Sequence, residues 1–85
     1  MAASTCTDIV AGPVKRSVMI AGHATSVSLE PVFWAALEAA AADLSLPINA
    51  LVARIDAERS MLPDPPNLAS ALRTWLFVRL QDKIH

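Results

Sequence analysis

The sequence predicts a mainly α-helical domain that opens with a short antiparallel β-ribbon. Residues 25–29 alternate small polar with apolar side chains, which is the spacing of a strand with one buried face. From Phe33 onward the apolar residues recur every three or four positions, and the same pattern resumes after a break at residues 45–47. A third helical pattern, residues 67–81, follows a proline-rich connector. The predicted order is therefore strand, helix, turn, helix and a further helix.

The predicted strand needs a hydrogen-bonding neighbour, because an isolated strand leaves its backbone groups unpaired. One candidate is the strand-like run at residues 16–20, which the glycine-containing stretch 21–24 would join to it as a hairpin. The other candidate is the same strand of a second copy, which would make an obligate dimer. If both pairings form, a dimer carries a four-stranded antiparallel sheet with the two 25–29 strands at its centre.

Composition favours the dimer. Eighty-five residues make one domain, and a chain of this size buries only about 60% of its unfolded surface. Yet 54% of the residues are apolar and only 18% are charged. A second copy would cover the apolar surface that one chain cannot bury. The alternative is a helical monomer with an alanine-rich exterior.

The single cysteine, the lack of a membrane span and the lack of a signal-peptide pattern indicate a cytoplasmic protein. The net charge of −1 argues against strong non-specific binding of nucleic acid. Cys6 is the only cysteine, so no disulfide framework is predicted. No apolar run is long enough to span a membrane. Residues 1–13 lack the pattern of a signal peptide and are predicted to form a flexible arm before a domain at residues 14–85.

No constellation typical of an enzyme is present. His23 is predicted to lie in a turn, His85 ends the chain, and Cys6 is distant from both in sequence. The two glycines form no phosphate-binding loop. Asp56 is expected to pair with an arginine such as Arg59 or a partner's Arg73. We therefore expect no catalysis, no metal and no cofactor.

The helix ends carry recognisable signals. Glu30 and Pro31 suit the start of the first helix, where the missing N–H of proline costs nothing. Ser45 is predicted to cap the second helix, with Pro47 in its first turn. Asn67 is predicted to cap the third.

Several stretches together resemble the ribbon-helix-helix class of DNA-binding proteins. They are the strand at 26–29, the segment 33–37 with Phe33, Trp34 and Leu37, and residues 49–56 of the second helix. Residues 15–18, the turn 21–23 and the helix beginning 67–73 are similar to a bacterial subgroup with an extra N-terminal strand and a third helix. The resemblance covers about residues 15–80 and implies an intertwined dimer whose strands enter the major groove of DNA.

The resemblance also implies roles for individual residues. The DNA-binding residues expected from it are Lys15, Arg16, Ala24, Ser26, Ser28 and Asn49. The dimer core expected from it is Val27, Leu29, Phe33, Trp34, Leu37, Leu51, Val52 and Ile55.

Two departures from the class lower the affinity for DNA that we expect. Ala24 stands where a long polar or basic side chain is usual, and Pro47 removes a backbone donor near the start of the second helix. If Lys15 and Arg16 of both copies neutralise about four phosphates, log K falls with log salt at a slope of about −3.6. The sequence thus predicts a homodimeric transcription regulator that binds double-stranded DNA weakly or with a partner's help. The alternative is a dimeric protein-interaction module, or an antitoxin-like protein, that docks a protein partner through its third helix.

Overall fold

A computed structural model describes residues 11–84 of the chain, which form a two-stranded sheet followed by three helices. The strands are β1 (Val14–Ile20) and β2 (His23–Leu29), and the helices are α1 (Pro31–Asp43), α2 (Ile48–Ser60) and α3 (Leu68–Ile84). The predicted class, mainly helical with a short antiparallel ribbon, is confirmed. The first ten residues of the predicted arm lie outside the described part of the chain.

β1 and β2 form an antiparallel hairpin whose register runs from Ile20 opposite His23 to Val14 opposite Leu29. Only Ala21 and Gly22 connect them, with φ of +50° and +83°. Two successive positive φ values give the turn that matches the twist of a hairpin, so the chain reverses in two residues. The predicted four-residue connection is wrong for this reason, and His23 is the first residue of β2 instead of part of a turn.

The core lies between the inner face of the hairpin and the three helices. Its members are Val18, Val27, Leu29, Trp34, Leu37, Ala40, Ala41, Leu51, Val52, Ile55, Leu72 and Leu76. Seven of the eight residues expected in a dimer core are therefore buried within one chain, and Phe33 is partly buried against them. Fully burying such a side chain stabilises a fold by about 1.5–3 kcal/mol. The intertwined dimer stays a prediction.

α1 ends in a left-handed residue. Ser45 has φ +57°, the N–H of Ser45 donates to the carbonyl of Ala42 at 3.0 Å, and the N–H of Leu46 donates to that of Ala41 at 2.8 Å. This pair of bonds is a Schellman motif, in which glycine usually takes the left-handed place. The prediction that Ser45 caps α2 is wrong, because Ser45 closes α1 and Pro47 stands at the N-cap of α2.

The connector between α2 and α3 is held by Arg59. Its guanidinium bonds to the carboxylate of Asp56 at 2.7 Å and to the carbonyl of Pro66 at 3.0 Å. The predicted pairing of Asp56 with Arg59 is confirmed. Asn67 then accepts a bond from the N–H of Ser70 at 2.8 Å, as the predicted cap requires, and α3 continues three residues beyond the predicted end.

Candidate nucleic-acid interface

One face of the hairpin is exposed and turned away from the helices. Because side chains alternate along a strand, every second residue of β1 and β2 lies on it. We call this the outer face; it consists of Lys15, Ser17, Met19, Ala24, Ser26 and Ser28. Across the hairpin Lys15 is opposite Ser28, and Ser17 is opposite Ser26. Four of the six expected DNA-binding residues are thus brought together on one face.

Arg16 lies on the opposite face of the hairpin from Lys15. Its guanidinium carbon is 4.7 Å from the ring centre of Trp34, and its Nη1 is 2.9 Å from the carboxylate of Glu38. The side chain is 44% exposed. Arg16 is therefore occupied by two side chains of α1 and does not share the outer face with Lys15.

Trp34 joins the hairpin to α1. The indole is buried, and its Nε1 donates to the backbone carbonyl of Val14 at 2.8 Å. Arg16 stacks on the same ring, so Trp34 fixes both Val14 and Arg16 of β1 to α1. These contacts determine which face of the hairpin points to solvent.

Asn49 caps one backbone donor on the outer edge of β1. Its Oδ1 accepts a bond of 3.2 Å from the N–H of Met19. Antiparallel partners alternate between pairs that exchange backbone bonds and pairs whose backbone groups point outward, so Met19 and Ala24 form an outward pair. This bond engages the side-chain oxygen of Asn49 with the sheet.

The same alternation leaves the outer edge of β2 open. The backbone groups of Ala24, Ser26 and Ser28 point away from β1, since each is opposite an outward-pointing residue. Among residues 11–84 no further strand pairs with β2. An exposed edge of this kind is a template for a strand of another chain.

The start of α2 offers few backbone donors. The N–H groups of Ala50 and Leu51 bond to the carbonyl of Pro47, and that of Leu46 is used by α1. Only the N–H groups of Ile48 and Asn49 remain for an anion, because Pro47 has none. The N–H of Leu46 is therefore not free to bind an anion.

Most cations of the described residues are paired within the chain. Arg16, Arg59 and Arg73 each contact one carboxylate, and Arg79 and Lys83 share Asp43. Neither Lys15 nor Arg54 forms an ion pair within residues 11–84. Lys15 is accordingly the available positive charge of the outer face.

Two of these carboxyls titrate below their usual range. A bond from the residue's own backbone N–H, followed by the bond from Arg73, lowers the pKa of Glu30. The hydrogen bond and charge of Lys83, followed by the bond from Arg79, lower the pKa of Asp43. Both groups are charged at neutral pH, so they attach α3 to the start and end of α1.

The described residues offer little other chemistry. No group of three His, Cys, Asp or Glu side chains within residues 11–84 is placed to hold a metal ion. No single helix there is long and apolar enough to cross a membrane. α1 and α2 taken together pass by length and composition alone, but they meet at 98°.

Ser17 and Met19 belong to the outer face although the sequence did not single them out. The signal was available, because a strand that points Lys15 outward points Ser17 and Met19 outward as well. The same period of two places Arg16 on the inner face.

Comparison with known proteins agrees with this architecture. A family model described as a ribbon-helix-helix domain matches residues 13–80, which include both strands, α1, α2 and most of α3. No curated protein and no solved structure shows significant similarity to the chain. Ribbon-helix-helix domains are usually found in DNA-binding transcription regulators or antitoxins and are typically not enzymes. The chain belongs to the ribbon-helix-helix domain family.

Proposed function

We propose that this chain is a homodimeric DNA-binding protein of the bacterial cytoplasm that regulates transcription, with two β2 strands paired across the dyad. The open edge of β2, next to a small and polar outer face, is the observation that carries the proposal. Pairing two copies of β2 would satisfy the outward backbone groups of Ala24, Ser26 and Ser28 in each chain.

The extra strand β1 determines how such a dimer meets DNA. A four-stranded sheet spans three gaps of about 4.8 Å, or about 14 Å between its outer strands. The major groove is about 12 Å wide and admits two strands. The central β2 strands therefore face the groove, and each β1 lies over a sugar-phosphate wall.

This arrangement divides the outer face by task. Lys15 and Ser17, on β1, face phosphates, whereas Ser26 and Ser28, on β2, face base edges. A serine hydroxyl donates or accepts and so distinguishes bases poorly, and Ala24 offers only a methyl group. Phosphate contacts thus supply most of the affinity, and sequence preference is small.

The salt dependence of binding to a duplex tests this division. With Arg16 held by Glu38, two Lys15 side chains per dimer give a slope of log K against log salt of about −1.8. Four contacts would give about −3.6. Lys15→Gln should make the slope nearly flat, as measured by fluorescence anisotropy with a labelled duplex.

Arg54→Gln is the matched control, since Arg54 is also unpaired within residues 11–84 but lies on α2. It is five positions from Asn49, about 140° around the helix, and so faces away from β1. We expect it to leave the slope unchanged. A flat slope for the unaltered chain, or a slope that Lys15→Gln does not change, would contradict the proposal.

A protein-interaction module on the same scaffold is the second candidate. The exposure of Phe77, Val78 and Leu80 on α3 favours it, because their exposed fractions of 59%, 48% and 56% are large for apolar side chains. A mobility-shift assay with the DNA upstream of the chain's own gene separates the two candidates. A dimer that shifts no duplex at low salt would favour the second.

A further inference from the structure

A groove between α2 and α3 is distinct from the outer face of the hairpin. It has a volume of about 390 Å³ and lies where the last turns of α2, the connector and residues 71–78 of α3 meet. Its apolar lining is Ile55, Leu62, Pro66, Ala71, Trp75 and Val78. Leu62 and Val78 are 50% and 48% exposed, so the groove presents apolar surface to solvent.

Carboxylates at or next to the groove outnumber the one cation that lines it. Glu58 lines it, and Asp64 lies in the connector between two lining residues; neither forms an ion pair within residues 11–84. Arg59 also lines it, but Asp56 neutralises its charge at 2.7 Å. Every lysine and arginine of the chain lies within the described residues, so none outside them could neutralise these carboxylates. Arg54 is one turn before Glu58 and does not line the groove.

We propose that this groove docks a basic amphipathic helix of a partner protein. Ala71 and Val78, at the two ends of the α3 wall, are seven positions apart, a rise of about 10 Å, which matches about two turns of a docked helix. Apolar residues at every third or fourth position would fill the groove. Lysine or arginine beside them would meet Glu58 and Asp64.

A second copy of this chain is a poor occupant. Five of its seven cations, three of them on α3, are already bonded to its own carboxylates. The remaining two, Lys15 and Arg54, lie on different elements and form no basic helix face.

Docking at the groove is compatible with DNA at the hairpin. Glu58 is nine residues beyond Asn49, about 13 Å along the axis of α2. Asn49 contacts β1 at one end of that helix, and the groove begins toward the other end. A helix in the groove would therefore leave the outer face open.

Two designed helical peptides of about five turns test the proposal with the full-length chain. They share one leucine face and differ only in carrying lysine or glutamate on the polar face. Fluorescence anisotropy of the labelled peptides measures binding. We expect the lysine peptide to bind about tenfold more tightly than the glutamate peptide. Equal affinities, or no binding of either peptide, would overturn the proposal.

Variants locate the binding. Val78→Lys should weaken the lysine peptide about tenfold, because it removes an apolar contact and adds a like charge. Val32→Lys, at a residue of α1 that is 41% exposed and does not line the groove, should have no effect. Glu58→Lys should abolish the preference for lysine over glutamate. Equal weakening by the two valine variants would contradict docking in the groove.

Sedimentation of the same variants tests whether a second copy of the chain occupies the groove instead. If Val78→Lys converts a dimer to a monomer while neither peptide binds the unaltered chain, the groove is covered by a second copy and the proposal fails. DNA binding by Val78→Lys is measured separately and should be unchanged, so failure here is distinguishable from failure of the proposed DNA-binding function.

Discussion

The two edges of the hairpin differ although both strands have the same length and the same alternation. At the edge of β1, the side chain of Asn49 accepts the backbone N–H of Met19. At the edge of β2, no strand within residues 11–84 pairs with Ala24, Ser26 and Ser28. The difference arises because α2 begins beside β1. A helix thus caps one outward backbone donor of β1, whereas no side chain within residues 11–84 does the same for β2.

Among these variants, Ser26→Pro is expected to have the largest effect, which is on dimer affinity. The backbone N–H of Ser26 points away from β1, so its loss spares the hairpin but removes a bond across the dyad in each of two chains. The bulk of the proline ring adds to this loss. We expect the dissociation constant of the dimer to rise about 100-fold, about 2.7 kcal/mol. Sedimentation velocity measures this, and circular dichroism should show unchanged helix content.

Ser17→Pro is the matched control on the other strand. Ser17 is opposite Ser26, and its N–H points toward the edge of β1. Dimer affinity should change little. If both proline variants dissociate the dimer equally, or neither does, the open edge of β2 is not the dimer contact.

Asn49→Ala should uncap the backbone donor of β1. It removes the acceptor for the N–H of Met19, and we expect the free energy of unfolding to fall by about 0.5–1.5 kcal/mol. Urea denaturation at fixed protein concentration measures the change. Asn49→Asp keeps an acceptor and should lose less. An effect of Asn49→Ala on dimer affinity instead of on folding would reverse the roles of the two edges.

Ala21→Asn should strengthen the hairpin without touching either edge. Ala21 has φ +50°, a conformation that asparagine tolerates better and that this turn type favours. We expect stabilisation by about 0.5–1 kcal/mol in thermal unfolding. Gly22→Ala should act in the opposite direction, because Gly22 has φ +83°. Destabilisation by both variants would contradict the turn.

Acid should slightly weaken the attachment of α3 to α1 and should hardly affect the edges of the hairpin. In the folded chain the pKa of Glu30 is lowered by the residue's own backbone N–H and then by Arg73, and the pKa of Asp43 is lowered by Lys83 and then by Arg79. Their contribution to the stability of the fold is therefore complete above the ordinary carboxyl pKa of about 4. It is lost as the pH falls through the lower pKa values of the folded state. Denaturation midpoints between pH 6 and about 3 should decrease. Asp43→Asn should show a smaller decrease; a midpoint that rises with acid would contradict these pairs.

Local patterns predicted much of this fold. The alternation at residues 25–29 places Val27 and Leu29 in the core and Ser26 and Ser28 outside, as observed. The helical periods identify all three helices, since apolar spacing of three and four has no other regular solution.

The missed features depend on contacts between distant segments. Asn49 lies 30 positions after Met19, and only the docking of α2 against β1 brings them together. Ser45 has the composition of a helix cap, but the backbone path from α1 to α2 requires a left-handed residue there. Arg16 is different, because its separation from Lys15 follows from strand geometry alone.

Sedimentation equilibrium of the purified chain at micromolar concentration shows whether two copies pair through β2. We expect a folded species of twice the 9.1 kDa of one chain, which Ser26→Pro converts to the single chain. A folded species of 9.1 kDa for the unaltered chain would contradict this pairing, because β2 would then have no second strand on its open edge.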